Sequence, residues 1–156
     1  MFIDVGAGDG LYKSVSMMFE DDLNWTGICI EGDFGTFSKL ERNRIHCVNV
    51  FATTLTFDEP GDAEPPRLSP VSTKLFDLTR IATSLSFTRI NLLILHEPVE
   101  STLVALNTID FNVLSIRVIL LSAESAKSSA ALLKLYGFAF IATIKNDVVM
   151  LNTGFG

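Results

Sequence analysis

The feature that most restricts the fold is a series of alternating glycines directly after an apolar segment near the start of the chain. The apolar segment is Phe2–Val5, and the residues that follow it are Gly6, Ala7, Gly8, Asp9 and Gly10. Glycine allows turns with positive φ and lets a ligand approach the backbone, and the start of a following helix presents unpaired N–H groups. The pattern predicts a strand, a tight turn and a helix start that together bind a nucleotide-like ligand.

Strand-like and helix-like segments alternate along the rest of the chain, which predicts an α/β fold. The strands are continuous apolar runs, as in a mostly parallel sheet covered on both faces. The predicted strands are 2–5, 27–31, 44–50, 90–95, 117–123, 138–144 and 148–152, the last two forming a hairpin that turns at Asn146 and Asp147. The predicted helices are one after the glycine turn with Leu11, Val15, Met18 and Phe19 on one face, 34–42, 74–85, one opening near Pro98, and 125–136, closed by Gly137. We predict a single domain over 1–156.

The segment 51–70 interrupts this pattern. It holds four of the five prolines together with Asp58, Glu59, Asp62 and Glu64, so we predict a long loop. A loop of this length is usually functional or a solvated insertion. If this loop borders the site of the small molecule on which the protein acts, its acids disfavour anionic molecules there. Deletion of 58–64 should then change the turnover or the range of molecules accepted.

Composition and charge exclude several classes of partner. The apolar runs are far shorter than the ~20 residues of a membrane span. The first ten residues carry no basic side chain and so lack a secretion signal, which predicts a cytoplasmic protein. The net charge of −6 disfavours nucleic acid. Cys29 and Cys47 lie in apolar segments and are expected to be reduced thiols in the core rather than a disulfide or a metal pair.

The spacing of the glycines distinguishes between two cofactor classes. A nicotinamide-binding turn has the pattern G-x-G-x-x-G, but here Gly10 comes one residue early and Leu11 occupies the required place. A nicotinamide oxidoreductase is therefore only the third hypothesis. The pattern acid-x-Gly-x-Gly-x-Gly, beginning at Asp4, resembles the first motif of S-adenosylmethionine-dependent methyltransferases, whose cofactor lacks phosphates. Glu31 ends the second predicted strand, where an acid in such folds accepts hydrogen bonds from both ribose hydroxyls.

Several separate stretches resemble the FkbM family of methyltransferases over most of the chain. They are 2–8, 27–31, 37–43, 71–78, 109–111, 118–124 and 132–138. The resemblance implies a Rossmann-like sheet of about seven strands with an antiparallel last strand, S-adenosylmethionine as cofactor, and methyl transfer to a hydroxyl of a sugar or other small metabolite. The expected cofactor-binding residues are Asp4, Gly6, Ala7, Gly8, Asp9, Gly10, Glu31 and Gly32. The segment that precedes the first strand in the family is expected to be missing.

The family's acidic stretch after the fourth strand, of the type Asp-x-Glu-Gly, is replaced here by His96, Glu97 and Pro98. Alignment of donor and acceptor dominates methyl transfer, with effective molarities of ~10⁵–10⁸ M. A base adds ~10²–10⁴-fold, and a neutral histidine can supply it. We therefore predict His96 as the base with Glu97 beside it in the site. A structural role for His96 is the alternative.

Two further alternatives concern metal binding and activity. A metal site of His96, Glu97 and Glu100 would be interrupted by Pro98 and has no second ligand cluster, so no metal is predicted. The leading hypothesis is an O-methyltransferase acting on a small hydroxylated molecule. The second is a catalytically silent domain of the same fold that binds S-adenosylmethionine or a partner protein. The sequence does not indicate an oligomeric state.

Overall fold

The computed structural model of the protein describes residues 1–52 and 76–155. The strands in this part of the chain are β1 (Phe2–Val5), β2 (Gly27–Glu31), β3 (Val48–Phe51), β4 (Arg89–Leu95), β5 (Ser115–Ser122), β6 (Phe138–Ile144) and β7 (Asp147–Asn152). The helices are α1 (Ser16–Asp21), α2 (Phe34–Asn43), α3 (Leu78–Ser84), α4 (Val99–Asn107) and α5 (Ala123–Leu135).

The strands of the described residues form one sheet in the order β3-β2-β1-β4-β5-β7-β6. β1 to β5 pair in parallel, whereas β7 runs antiparallel to both of its neighbours. The predicted α/β class, with a mostly parallel sheet and an antiparallel last strand, is confirmed. The strand order reverses between β2 and β4 on either side of β1, and ligands of open α/β sheets bind at the carboxyl ends of the strands at such a point.

Helices cover the sheet on both faces, which explains the continuous apolar strands. Alternate residues of a strand point to opposite faces, so β1 places Ile3 in one apolar cluster and Phe2 in the other. The first cluster also contains core residues of α3, α4 and α5, and the second those of α2. Both clusters exclude solvent, because Phe2 and Ile3 are 0% and 1% exposed.

The sequence prediction is wrong at the first helix. Four apolar side chains were expected on its buried face, but α1 begins only at Ser16, and Leu11 and Met18 are about half exposed. Its buried residues are Ser16 and Glu20. Val15 and Phe19 do contact the second apolar cluster. The most deeply buried side chains of this helix are therefore polar.

The third strand also begins later than predicted. It starts at Val48 rather than at residue 44, because Arg44 ends α2 as its C-cap and is itself buried. Its guanidinium forms an ion pair with Glu20 of α1, so the polar side chains of two helices meet. The other strands agree with the prediction to within two residues.

Some predictions fall beyond the described residues. The segment 53–75 contains most of the predicted loop, the acids at 58–64 and most of the FkbM-like stretch 71–78, so these predictions and the single domain over 1–156 stay untested. In the part of the chain that the structure describes, no helix is both long enough and apolar enough to cross a membrane.

We predict that Gly27→Ala destabilises the fold. A Cβ at Gly27 would collide with the ring of Phe2, which is fully buried. Overpacking of this kind costs roughly 1–3 kcal/mol of unfolding free energy, measurable by urea denaturation. Gly35→Ala is the control, because the nearest atom, Oδ1 of Asp33, is 3.4 Å away and alanine favours a helix. Equal denaturation midpoints for Gly27→Ala and the parent would contradict the packing argument.

Candidate functional site

The glycine turn adopts a backbone conformation that requires glycine. Gly6, Gly8 and Gly10 have φ values of +76°, +61° and +79°, a region that other residues rarely occupy. The amides of Gly6 and Ala7 both donate to the carbonyl oxygen of Ile30 at 3.0 Å. The turn is therefore attached to the end of β2.

The space around the three glycines differs. A Cβ on Gly6 would lie 2.9 Å from Oε1 of Glu97, and a Cβ on Gly10 would collide with the side chain of Arg44. A Cβ on Gly8 would have no atom within 4 Å. Gly6 and Gly10 thus permit close packing, whereas Gly8 faces open space in which a ligand can approach the backbone.

Glu31 lies beside this open space, at the end of β2. Its Oε2 accepts a hydrogen bond from the amide of Gly8 at 2.9 Å, and its Oε1 accepts from the amides of Gly32 and Asp33, both at 2.8 Å. A carboxylate offers about four acceptor positions. One position, on Oε2, is left for a ligand hydroxyl.

The side chain of Asp9 bonds to the backbone just after the glycine turn. Its Oδ1 accepts hydrogen bonds from the amides of Leu11 and Tyr12 at 3.0 and 2.8 Å. These bonds hold the pKa of Asp9 below its ordinary value because they favour the charged form. In the structure the carboxylate stabilises the turn that follows Gly10.

A cavity of about 770 Å³ opens next to the glycine turn. It lies between that turn, the end of β4 and the turn joining β6 to β7. The lining residues are Asp4, Gly6, Ala7, Gly8, Tyr12, Lys13, Ser14, Val15, His96, Leu120, Ile144, Lys145, Asn146 and Asp147. Five predicted site residues line it, while Asp9, Gly10, Glu31, Gly32 and Glu97 do not.

Asp4 presents an unsatisfied oxygen at this cavity. Asp4 is 2% exposed, and its Oδ2 accepts a hydrogen bond from Oγ of Ser16 at 2.5 Å. The other oxygen, Oδ1, is buried and has no hydrogen-bond partner. Burial raises the pKa of Asp4 above its ordinary value, while the Ser16 hydrogen bond opposes that shift. A buried acceptor without a partner is costly, so the position suits a ligand that donates a hydrogen bond or carries positive charge.

His96 lies at the end of β4 and faces a carboxylate that sequence reasoning missed. Its Nε2 is 3.8 Å from Oδ2 of Asp147, and the two side chains are 26% and 31% exposed. The His96 amide donates to the carbonyl of Val5 at 3.1 Å. Asp147 is the first residue of β7 and is paired with Ser122. Both backbones are therefore fixed, and the pair is placed at the cavity wall.

Glu97, the second predicted catalytic residue, is turned away from His96. Its carboxyl lies against Gly6, as the contact of 2.9 Å with a Cβ built there indicates. Burial, and secondly the charge of Glu31, raise the pKa of Glu97. His96 therefore faces the cavity, whereas Glu97 faces the glycine turn and the end of β2.

A buried polar network centred on Arg44 contacts the glycine turn. Arg44 is 2% exposed, forms an ion pair with Glu20, and donates hydrogen bonds to Oγ of Ser14 and Ser16 at 3.0 Å each and to the carbonyl of Gly10 at 3.4 Å. Ser16 in turn donates to Asp4. Arg44 thus connects α1, α2, the glycine turn and the carboxyl of β1.

The cysteines are free thiols, and Cys47 belongs to this network. Its Sγ donates to Oε2 of Glu20 at 3.0 Å. Cys29 is fully buried, and a hydrogen bond to Cys47, followed by burial, raises the pKa of its thiol. Across residues 1–52 and 76–155, no three His, Cys, Asp or Glu side chains, His96, Glu97 and Glu100 included, form a group that could hold a metal ion.

Comparison with known proteins identifies the fold. No protein-family model matches the chain, so the FkbM resemblance is not supported by a family match. No curated protein matches it either. The chain is similar to the solved structures of M. capricolum TrmK in complex with S-adenosyl-homocysteine (7% identity, TM-score 0.58), of the METTL16 methyltransferase domain (14%, 0.58) and of the bacterial CtHen1-C methyltransferase domain (9%, 0.55).

These matches cover 96% of this chain in each case, but 59%, 57% and 88% of the three solved chains. The chain thus spans less than two thirds of the TrmK and METTL16 structures. At such low identity the similarity shows the fold alone. That fold is the Rossmann-like fold of S-adenosylmethionine-dependent methyltransferases, as the sheet order also indicates.

We predict that Arg44→Ala strongly destabilises the protein. Removal of one partner of a buried ion pair leaves Glu20 buried and unpaired, which costs roughly 3–5 kcal/mol of unfolding free energy. Arg42→Ala is the matched control, because Arg42 is exposed on the same helix, where substitutions stay within about 0.5 kcal/mol. Urea denaturation measures both, and a similar small loss for the two variants would show that the ion pair contributes little.

Proposed function

We propose that the protein binds S-adenosylmethionine and transfers its methyl group to a hydroxyl of a small metabolite or sugar. The observation that carries the proposal is the open space at Gly8, whose amide donates to Glu31, beside a cavity at the end of β1. A further support is the shared fold with TrmK, which was solved with S-adenosyl-homocysteine. The proposal retains a non-nucleic-acid acceptor, in keeping with the charge of −6, and a cytoplasmic location.

Two carboxyl groups suit opposite ends of this cofactor. The remaining acceptor position on Oε2 of Glu31 would receive a ribose hydroxyl, and a second hydroxyl would have to share or replace one of the three backbone donors. The unpartnered Oδ1 of Asp4 would receive the ammonium of the amino acid end. The open backbone at Gly8 would let the cofactor pass between them.

The transfer itself needs alignment and a proton acceptor. Bound S-adenosylmethionine supplies a methyl group on a positively charged sulfur. His96 would accept the proton of the acceptor hydroxyl, and the Asp147 carboxylate, 3.8 Å from Nε2, would favour the tautomer in which Nε2 is protonated and Nδ1 is the basic atom. Glu97, which lies against Gly6, would face the cofactor instead of the acceptor.

The orientation of Glu97 also favours a second candidate function. The sequence predicted two adjacent catalytic side chains after β4, yet only His96 lines the cavity. A domain with an incomplete acceptor site would bind S-adenosylmethionine without transferring the methyl group. The FkbM assignment belongs to the first candidate and stands on the sequence resemblance alone.

We expect Glu31→Gln to weaken the binding of S-adenosylmethionine. Hydrogen bonds to charged groups are worth roughly 1.5–3 kcal/mol, so calorimetric titration should report an affinity about 10- to 100-fold lower. Glu41→Gln removes the same charge from an exposed position on α2 and should bind like the parent. Thermal unfolding of both variants separates loss of a contact from loss of the fold. Unchanged affinity in folded Glu31→Gln would remove Glu31 from the cofactor site.

The role of His96 is tested by His96→Gln together with Asp147→Asn. Loss of the base should lower the rate of methyl transfer to hydroxylated metabolites by ~10²–10⁴-fold, with a smaller loss for Asp147→Asn, while S-adenosylhomocysteine binds as before. His46→Gln is the control, because His46 is exposed and outside the cavity. An active parent whose rate survives His96→Gln excludes His96 as the base. A parent that binds cofactor but transfers nothing would favour the silent domain.

A further inference from the structure

Two lysines from different turns line the cavity. Lys13 follows the glycine turn, and Lys145 lies in the turn between β6 and β7. Both have a φ of +57°, a left-handed conformation that is uncommon for a side chain of this size. Each lysine therefore belongs to a tight turn whose backbone fixes where its side chain begins. Nζ of Lys13 lies 5.1 Å from the centre of the Tyr12 ring, which also lines the cavity.

Neither of these lysines forms an ion pair with a carboxylate of the described residues. In the described ranges, the contacts within 4.0 Å between a basic and an acidic side chain are the Arg44–Glu20 ion pair and the contact of His96 with Asp147, so neither lysine is paired there. Of the two acids that line the cavity, Asp147 faces His96, and burial raises the pKa of Asp4. Two ammonium groups without an ion-pair partner among the described residues therefore line the cavity of a protein whose net charge is −6.

The position of Lys145 separates it from the proposed cofactor crevice. Glu31 ends β2, which neighbours β1 on one side. The turn before β7 lies on the other side, three strand positions from β1. With strands about 4.8 Å apart, three positions correspond to roughly 14 Å. The β6–β7 turn therefore lies on the side of the cavity that remains for the acceptor.

We propose that the acceptor is an anionic small molecule whose carboxylate or phosphate group binds between Lys13 and Lys145. Its hydroxyl would then lie at His96, which shares the cavity wall with Asp147. A lysine ammonium carries three donors and binds such groups as a point charge. The acids at 58–64 suggested neutral or cationic acceptors, but the lysines of the cavity favour the opposite charge. The methylation of this molecule rests on the proposed function, whereas the anion site does not.

The anion site is tested with inorganic phosphate as the probe, in the full chain with S-adenosylhomocysteine present and again without it. Chemical-shift titration should give a dissociation constant that rises at least about tenfold in the double variant K13A/K145A, because two charged contacts are lost. The control K127A/K134A removes the same charge from exposed positions on α5 and should stay within about twofold of the parent. Absence of phosphate binding by the parent, or an equal loss in the control, overturns the proposal.

A second measurement addresses the acceptor. We expect glucose 6-phosphate and glycerol 3-phosphate to be methylated at least about tenfold more efficiently, by kcat/KM, than glucose and glycerol, and K13A/K145A should abolish that preference. Equal efficiency for charged and neutral partners overturns the proposal. A single-stranded RNA 12-mer that binds more tightly than the phosphorylated sugars, and loses binding in K13A/K145A, also overturns it, because the anion would belong to a polymer. A further outcome is a parent that binds phosphate but no S-adenosylhomocysteine, with the phosphate binding weakened in K13A/K145A. In that case the proposed function fails and the anion site stands.

Discussion

The ligand side of this protein depends on the buried ion pair between Arg44 and Glu20. Burial of two charges costs solvation energy, and such a pair often contributes no more to stability than apolar residues of the same volume would. A guanidinium has several donors in a fixed plane, however, and here they reach the carbonyl of Gly10 and the hydroxyls of Ser14 and Ser16 together. No apolar side chain can hold a glycine turn and two hydroxyl groups in register. The pair therefore determines the geometry of the turn.

The fold was largely predictable because its signals are local. The continuous apolar strands, the alternation with helices and the glycine turn are properties of neighbouring residues, and the positive φ at Gly6, Gly8 and Gly10 agrees with them. The first helix and the third strand were predicted wrongly for one shared reason. Arg44 and Glu20 are 24 residues apart, and nothing near either of them in sequence indicates that they are buried together. Buried charges violate the apolar periodicity on which the prediction depended.

Only the part of the candidate site formed by the ends of β1 and β2, its first half, was predictable from the sequence. Asp4 and the glycines are contiguous with β1, so one motif identifies them, and Glu31 follows from the end of the next strand. The second half comes from the β6–β7 turn, where Lys145 and Asp147 lie. The sequence indicated a hairpin there. Its position at the carboxyl edge depends on the antiparallel insertion of β7 between β5 and β6, a long-range pairing. The sequence could not show that His96 lines the cavity and Glu97 does not, because adjacent residues at a strand end can face different neighbours.

The carboxyl groups around the glycine turn share an electrostatic property that relates the network to the proposed ligand. Asp4 lines the cavity and Glu97 lies against Gly6, and burial raises the pKa of each, so without a ligand their charged forms are disfavoured. A cation bound near either group would favour its charged form and lower its pKa. By linkage, the same coupling strengthens the binding of the cation as the pH rises and these groups ionise. The proposed cofactor carries two positive groups, its sulfonium and its ammonium. Acids that are unfavourable in the free protein are therefore suited to a cationic ligand, and the two lysines that line the cavity are suited to an anionic one.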